Sequence, residues 1–282
     1  MKQPSITQSV RDLQAFIQEH KDAGKHIALV PTMGALHEGH LSLVREGLKH
    51  ADICVVSIFV NPAQFGPNED YDAYPRTLET DLEKLSATGA QAVFAPTAKE
   101  MYPEGFATNI SVGGVSEGLC GAARYGHFDG VATVVTKLLL QALPDISLFG
   151  EKDYQQLQVI KRLVSDLNIP VEIKGVPIVR DENGLALSSR NAYLSEDQYK
   201  IAAKLNNILF DMAEKIGSGE TIKTILCSGL QQLQEAGFDS ADYLECVDAK
   251  TLVPVSSIKD RDLRLLAAVR LGKTRLIDNV PA

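Results

Sequence analysis

Pro31-Thr32-Met33-Gly34-Ala35-Leu36-His37-Glu38-Gly39-His40 is the stretch that decides how this chain folds. It follows His26-Ile27-Ala28-Leu29-Val30, a short apolar run that reads as a buried strand. It precedes Leu41, Val44 and Leu48, which keep helical spacing. Two histidines and two glycines therefore sit on a strand-to-helix turn. Unpaired backbone N–H groups and the positive end of a helix dipole make such a turn attractive to an anion, typically phosphate. The glycines let the backbone come close to a ligand. On a helix beginning near Leu36, His37 and His40 share a face and add two side-chain donors. Zinc is a poorer match. HEGH is not HExxH, whose histidines stand four apart, and no third ligand lies nearby. A plain polar turn with two surface histidines stays open on this stretch alone. The GxGxxG fingerprint is absent, which argues against a simple dinucleotide binder.

Outward from this turn, Ile53 to Val60 is a second apolar run. Two such strands joined by a helix form a βαβ unit and imply a parallel sheet. Asn61-Pro62-Ala63-Gln64-Phe65-Gly66 follows the second strand. Its carboxamides share the carboxyl edge of the sheet with the HEGH turn, where ligands bind in open α/β folds. Asn61 and Gln64 are therefore candidates for orienting a small polar substrate, against a polar loop that merely caps a strand.

On the amino-terminal side, Val10, Leu13, Phe16 and Ile17 form one helical face, with Thr7 or Ser9 as N-cap. Further on, Leu78, Leu82 and Leu85 mark a helix, and 91–96 a third strand. Residues 103–130 are glycine-rich, hold Arg124, His127 and Asp129, and read as a loop that closes over a site. Val131 to Leu143 is a strongly apolar helix. A fourth strand, 145–149, runs into Gly150-Glu151-Lys152-Asp153-Tyr154-Gln155-Gln156, again a strand end feeding a helix. A fifth, 171–179, leads to Leu185-Ala186-Leu187-Ser188-Ser189-Arg190-Asn191. Two hydroxyls, a guanidinium and a carboxamide in sequence make a good phosphate hand. Ser195-Glu196-Asp197-Gln198 resembles a capping box that opens one long helix, 196–216. A helix at 221–236 and strands at 242–247, 263–270 and 276–279 complete the chain. The expected division is 1–176 as a Rossmann-like parallel-sheet domain and 177–282 as a smaller α+β domain.

A length of 282 residues fits one large or two modest domains. The net charge of −8, with no lysine- or arginine-rich run, argues against a nucleic-acid partner. Cys54, Cys120, Cys227 and Cys246 form no CxxC pair and read as reduced, buried thiols of a cytoplasmic protein. The polar amino terminus is not a signal peptide. No run approaches the roughly 18 apolar residues of a membrane span.

Three motifs now stand in order: HEGH after the first strand, GEKDYQQL after the fourth and LSSRN after the fifth. The first is similar to the HIGH signature of the nucleotidyltransferase superfamily, and the last sits where its synthetases carry a KMSKS loop. Together with PTMGALHEGH, FVNPAQFG, YPRT, GHFDGV and the terminal RLIDN, the set resembles the pantoate–β-alanine ligase (pantothenate synthetase) family, from about residue 26 to 279. The resemblance implies a Rossmann-like domain with a carboxy-terminal lid, a homodimer, and ATP as substrate with Mg2+ on its phosphates and no assigned protein ligand to the metal. It implies condensation of pantoate with β-alanine through a pantoyl adenylate, as a step towards coenzyme A.

By motif, Met33 through His40 match the ATP-binding turn, with His37 and His40 as catalytic donors. Gln64 matches a residue that holds pantoate and β-alanine, and Gln156 one that holds pantoate. Gly150, Glu151, Lys152 and Asp153 match the second ATP segment, Val179 the adenine contact, and Leu187, Ser188, Ser189 and Arg190 the third segment. Lys152 and Arg190 are the catalytic cations. Asn61, Asp81, Arg124 and His127 form a second tier. Two alternatives are a cytidylyl- or adenylyltransferase of the same superfamily and a non-catalytic nucleotide-binding module.

Overall fold

Every side chain from Ile27 to Val30 is buried, whichever face of its strand it occupies. A strand covered on both faces belongs inside a parallel sheet flanked by helices, which explains its continuous apolar run. The computed structural model, which describes residues 3–67, 69–257 and 262–282, has this sheet. Its strands are β1 (Ser5–Thr7), β2 (Ile27–Thr32), β3 (Ile53–Ile58), β4 (Ala92–Phe94), β5 (Ile146–Gly150) and β6 (Glu172–Val176). They run in the order β1-β4-β3-β2-β5-β6, and all their pairings are parallel. The order steps outward from β2 through β3 in one direction and through β5 in the other. The carboxyl ends of β2 and β5 thus flank a topological switch point, the place where open α/β sheets bind ligands. The HEGH turn leaves from one of these ends and Gly150 stands at the other.

One face of the sheet presents Ala28, Val30, Cys54, Val56, Val93 and Leu148 to Leu43 and Val44 of one helix and Leu82 and Leu85 of another. Helix Val10–Asp22 starts at Ser9, whose side chain accepts the Asp12 N–H, and buries Leu13 and Ile17. Helix His127–Ala142 is buried along most of its length.

Contacts divide the chain into two units. The first holds the stretch ending at Val112 together with Arg124–Glu151 and Val159–Pro177; the second holds Gly113–Ala123, Lys152–Gln158 and the chain from Ile178. The second unit contains β7 (Ser240–Asp248), β8 (Leu263–Leu271) and β9 (Thr274–Pro281) in an antiparallel sheet of order β7-β8-β9. Leu205, Leu209, Met212 and Leu233 pack with Leu265, Ala267, Val269 and Leu276 into its core.

Several expectations are corrected. The three-residue β1 is too short to show a period, and the sequence reading passes over it. The fifth strand ends at Val176, ahead of Pro177, which cannot continue a ladder. The long helix is two, Glu196–Ala202 and Lys204–Gly217, broken at Ala203, although the Ser195/Gln198 capping box opens the first as expected. The glycine-rich 103–130 segment contains helix Cys120–Ala123 and the first turn of His127–Ala142. The last strand is longer than 276–279. All four cysteines are free, but Cys227 is exposed. Among the described residues no helix is long and apolar enough to cross a membrane.

Candidate active site

After β2 the backbone turns through Gly34 at φ +82° and Ala35 at φ +50°. The left-handed region suits glycine but costs an alanine free energy. A buried carboxylate holds it there. Asp81, on helix Leu78–Ser86, accepts the Ala35 N–H at 2.9 Å and the Leu36 N–H at 2.8 Å. Lys84, one turn along that helix, donates to the Leu36 carbonyl at 2.6 Å. A Cβ on Gly34 would lie 3.1 Å from Ile58 Cγ2 and 3.2 Å from Asp81 Oδ2, so the turn has little room to shift.

Helix Glu38–Gly47 begins at His37, its N-cap. The Gly39 N–H donates to His37 Nδ1 at 3.2 Å, the His37 N–H to His40 Nδ1 at 3.3 Å, and the His40 N–H to the His37 carbonyl at 2.8 Å. The N–H groups of Ala35, Leu36, His37, Gly39 and His40 have acceptors within the protein, which narrows the backbone donors the turn can present outward. The turn also carries two imidazole rings. Each Nδ1 accepts a hydrogen bond, so each neutral imidazole carries its hydrogen on Nε2. The two ring centroids are 4.1 Å apart. Two Nε2–H donors with fixed tautomers make a suitable hand for phosphate oxygens on chemical grounds. Glu38 is drawn aside by Arg45, at 2.6 Å.

Beside this turn, Gln64 donates from Nε2 to Met33 Sδ at 3.0 Å. Asn61 is almost fully buried, and both ends of its carboxamide are used. Nδ2 donates to Gln64 Oε1 at 3.2 Å and to the Gly130 carbonyl at 3.1 Å. Oδ1 accepts the Ala63 N–H at 3.2 Å and the Tyr102 hydroxyl at 2.7 Å. Burial pushes the Tyr102 phenol up to about 12, so it remains a donor at neutral pH. Asn61 therefore aligns Gln64. Helix His127–Ala142 comes so close that a Cβ on Gly130 would sit 2.2 Å from the Ala63 carbonyl oxygen, so only glycine fits there.

A second chain of contacts ends on the Gln64 backbone. Glu69 binds Arg124 through two hydrogen bonds, at 2.6 and 2.7 Å. Arg124 Nη1 meets His127 Nε2 at 2.8 Å, and His127 Nδ1 meets the Gln64 carbonyl at 2.8 Å. Arginine can only donate, so Nε2 accepts and Nδ1–H donates. Burial pushes the Glu69 carboxyl up, but the Arg124 hydrogen bonds outweigh it and hold the group at about 2. A carboxyl whose folded value lies below its ordinary 4.5 adds stability that is complete above that pH and is lost as pH falls towards 2. Wild-type melting temperature should therefore fall more steeply than that of Glu69→Gln between pH 4.5 and 2 in thermal scans. Parallel declines would show that Glu69 is not linked to folding.

Gly150 closes β5, and Glu151–Asp153 form a 3-10 turn before helix Tyr154–Asp166. Lys152 Nζ lies 3.7 Å from Asp153 Oδ2. Gln156 is half-buried in the first turn of the helix. Its neighbour Gln155, which the sequence reading left unassigned, is buried. It accepts the Cys120 N–H at 2.9 Å and donates to the carbonyls of Val115 at 3.0 Å and Gly118 at 2.8 Å.

The third segment folds back on itself. Arg180 and Ala186 form an antiparallel bridge, and the Leu187 N–H donates to the Val179 carbonyl at 3.0 Å. Val179 and Leu187 are thus neighbours, which the sequence spacing does not reveal. Asp181 accepts the N–H groups of Asn183 and Leu185 in the connecting turn. Ser188 caps the 3-10 turn Ser189–Tyr193 by accepting the Arg190 N–H at 3.3 Å, which gives one hydroxyl of the phosphate hand a local duty.

A family model described as Pantoate-beta-alanine ligase matches residues 5–281. A pantothenate synthetase of Paramagnetospirillum magneticum is 58% identical over 275 residues, which are 98% of this chain and 96% of the relative. The crystal structure of pantothenate synthetase from Thermus thermophilus superposes with a TM-score of 0.93 at 45% identity, covering 98% of both chains. A pantoate-beta-alanine ligase from Francisella tularensis, solved as a complex with beta-gamma ATP and beta-alanine, gives a TM-score of 0.83 at 34% identity, covering 99% of this chain and 97% of that one. With its sheet order, its histidine turn and these matches across nearly its whole length, the chain belongs to the pantoate–β-alanine ligase family.

Proposed function

We propose that this protein joins pantoate to β-alanine at the expense of ATP. A pantoate carboxylate oxygen attacks the α-phosphorus, and the bond to the bridging oxygen breaks, releasing pyrophosphate. The amine of β-alanine then attacks the acyl carbon of the adenylate. The acyl–oxygen bond breaks, AMP leaves with the electron pair, and the nitrogen gives up a proton. The observation that carries this reading is the family match over residues 5–281. It is supported by the relative bound to beta-gamma ATP and beta-alanine.

The roles follow from chemistry. An acyl phosphate is already activated, so no nucleophilic side chain is needed; positioning and charge stabilisation suffice. The Nε2–H groups of His37 and His40 donate to phosphate oxygens as charge builds up. Lys152 and Arg190 neutralise the polyphosphate, Asp153 accepts from ribose hydroxyls, and the Val179 backbone meets adenine. Gln64 and Gln156 hold pantoate, Gln64 also serving β-alanine, and Asn61, Arg124 and His127 hold Gln64. Magnesium belongs to the same reading. Among the described residues no group of three or more His, Cys, Asp or Glu could hold a metal ion. In this reading the Mg2+ is held mainly by phosphate oxygens and water, the ion's usual habit. A homodimer and a cytoplasmic location rest on the family resemblance.

Pyrophosphate release from ATP tests the reading. With pantoate alone, one burst per active site is expected; with β-alanine added, AMP should accumulate in step with an amide product. Release with another acceptor but not with pantoate would keep the nucleotidyl chemistry and sink the substrate. ATP binding without release to any acceptor would mark a non-catalytic module.

A further inference from the structure

Near the end of the chain, β9 breaks the apolar habit of a core strand. Asp278 and Asn279 are adjacent, so they point to opposite faces, yet both are buried. Each has found a duty. Asp278 receives both Arg180 Nη1 and Nη2, at 2.6 and 2.9 Å, and so anchors the hairpin that carries Val179 and Leu187. Asn279 reaches another segment. Its Oδ1 accepts Arg264 Nε at 2.7 Å, and its Nδ2 donates to the backbone carbonyl of Lys152 at 3.0 Å. Arg264 Nε–H can only donate and a carbonyl can only accept, so one orientation of the carboxamide satisfies both. The Arg264 guanidinium lies 4.0 Å from the centroid of the Tyr154 ring, and the Tyr154 hydroxyl donates to the Ala249 carbonyl at 2.9 Å. Residues 152 and 154 are thus gripped from β8 and β9.

We propose that Asn279 is a positioning residue for Lys152: it fixes the lysine's backbone so that the ammonium meets the polyphosphate in one place. The proposal rests on the charge-neutralising role given to Lys152 above. A buried carboxamide of matched orientation suits this task because it joins a donor-only group to an acceptor-only group. Misplacing a catalytic group by about 1 Å costs up to a hundredfold in rate.

Asn279→Asp separates positioning from packing. It keeps the side-chain shape and the acceptor for Arg264, but it sets a second oxygen against the Lys152 carbonyl. Pantoate-dependent pyrophosphate release is measured for wild type, Asn279→Asp, Lys152→Ala and the double variant, with melting temperatures alongside. Lys152→Ala leaves the backbone carbonyl in place, so the cycle isolates the path through the lysine side chain. The expected result is about a tenfold loss of kcat in Asn279→Asp and no further loss when the change is made in Lys152→Ala. An equal loss in both backgrounds, or wild-type turnover in Asn279→Asp, would overturn the proposal. Wild-type turnover in Lys152→Ala would remove the lysine role and this proposal with it. Should Asn279→Asp not fold, Asn279→Ser breaks the contact without adding charge and goes through the same cycle.

Discussion

His40→Ala should lower the turnover of pantoate-dependent pyrophosphate release by about a hundredfold or more, the scale of losing one donor aimed at developing charge. The expectation comes from the ring's bonding. His40 Nδ1 accepts the His37 N–H, so its hydrogen stands on Nε2 without any change of protonation. A donor fixed in this way needs no reorganisation as the α-phosphorus is attacked, and that is what makes such groups effective. The alanine also strips half of a capping box, a loss of about 1 kcal/mol. His40→Gln separates the two effects. Glutamine at this position supplies the capping acceptor but not the imidazole. It should hold the melting temperature of wild type while turnover stays low. An alanine variant turning over within about threefold of wild type would be too fast for the loss of a phosphate donor. A glutamine variant that melts normally and works normally would show that the ring's part is the cap alone.

Much of the first sheet was legible because burial on both faces writes itself as unbroken apolar runs. Ile27 to Val30 and Ile53 to Val56 are such runs. Strand β1 was not legible, because three residues on an edge carry no period. The histidine turn was legible as a place but not as chemistry. The N–H groups of Ala35 and Leu36 looked available because their acceptor, Asp81, lies 46 and 45 residues away on another helix. Asn61 shows the same limit. A carboxamide at a strand end reads as a ligand hand, yet Tyr102 and Gly130, 41 and 69 residues away, take up its polar atoms. Asp278 and Asn279 read only as part of a short last strand; their partners, 98 and 127 residues away, keep them inside. Local pattern reports which faces are covered. It does not report which distant polar group a buried one has chosen, and at this site those choices set the geometry.

Asp81→Asn should weaken ATP binding by at least about tenfold and lower the melting temperature by about 5 °C. The carboxylate of Asp81 faces two N–H groups, and an asparagine has only one oxygen to offer them. Whichever way the amide turns, one of these N–H groups faces an NH2 and loses its carboxylate acceptor, at about 1–3 kcal/mol where the group is buried, as at Leu36. For a chain of this size about 1 kcal/mol shifts the melting temperature by roughly 2–4 °C. The effect on ATP has a separate origin. Ala35 sits at φ +50°, a conformation that an alanine keeps only while something holds it. With the clamp halved, Ala35 relaxes towards negative φ, and the N-cap two residues on moves with it. His37 and His40 then present their Nε2–H groups in the wrong place, although neither has been altered. Calorimetric titration with ATP and a thermal scan on the same sample divide the outcomes. A fall in melting temperature with unchanged ATP affinity would make Asp81 a folding residue only. Weaker ATP binding in Asp81→Asn, offset in part by Ala35→Gly, would trace the loss to the left-handed turn, since glycine occupies that region without strain.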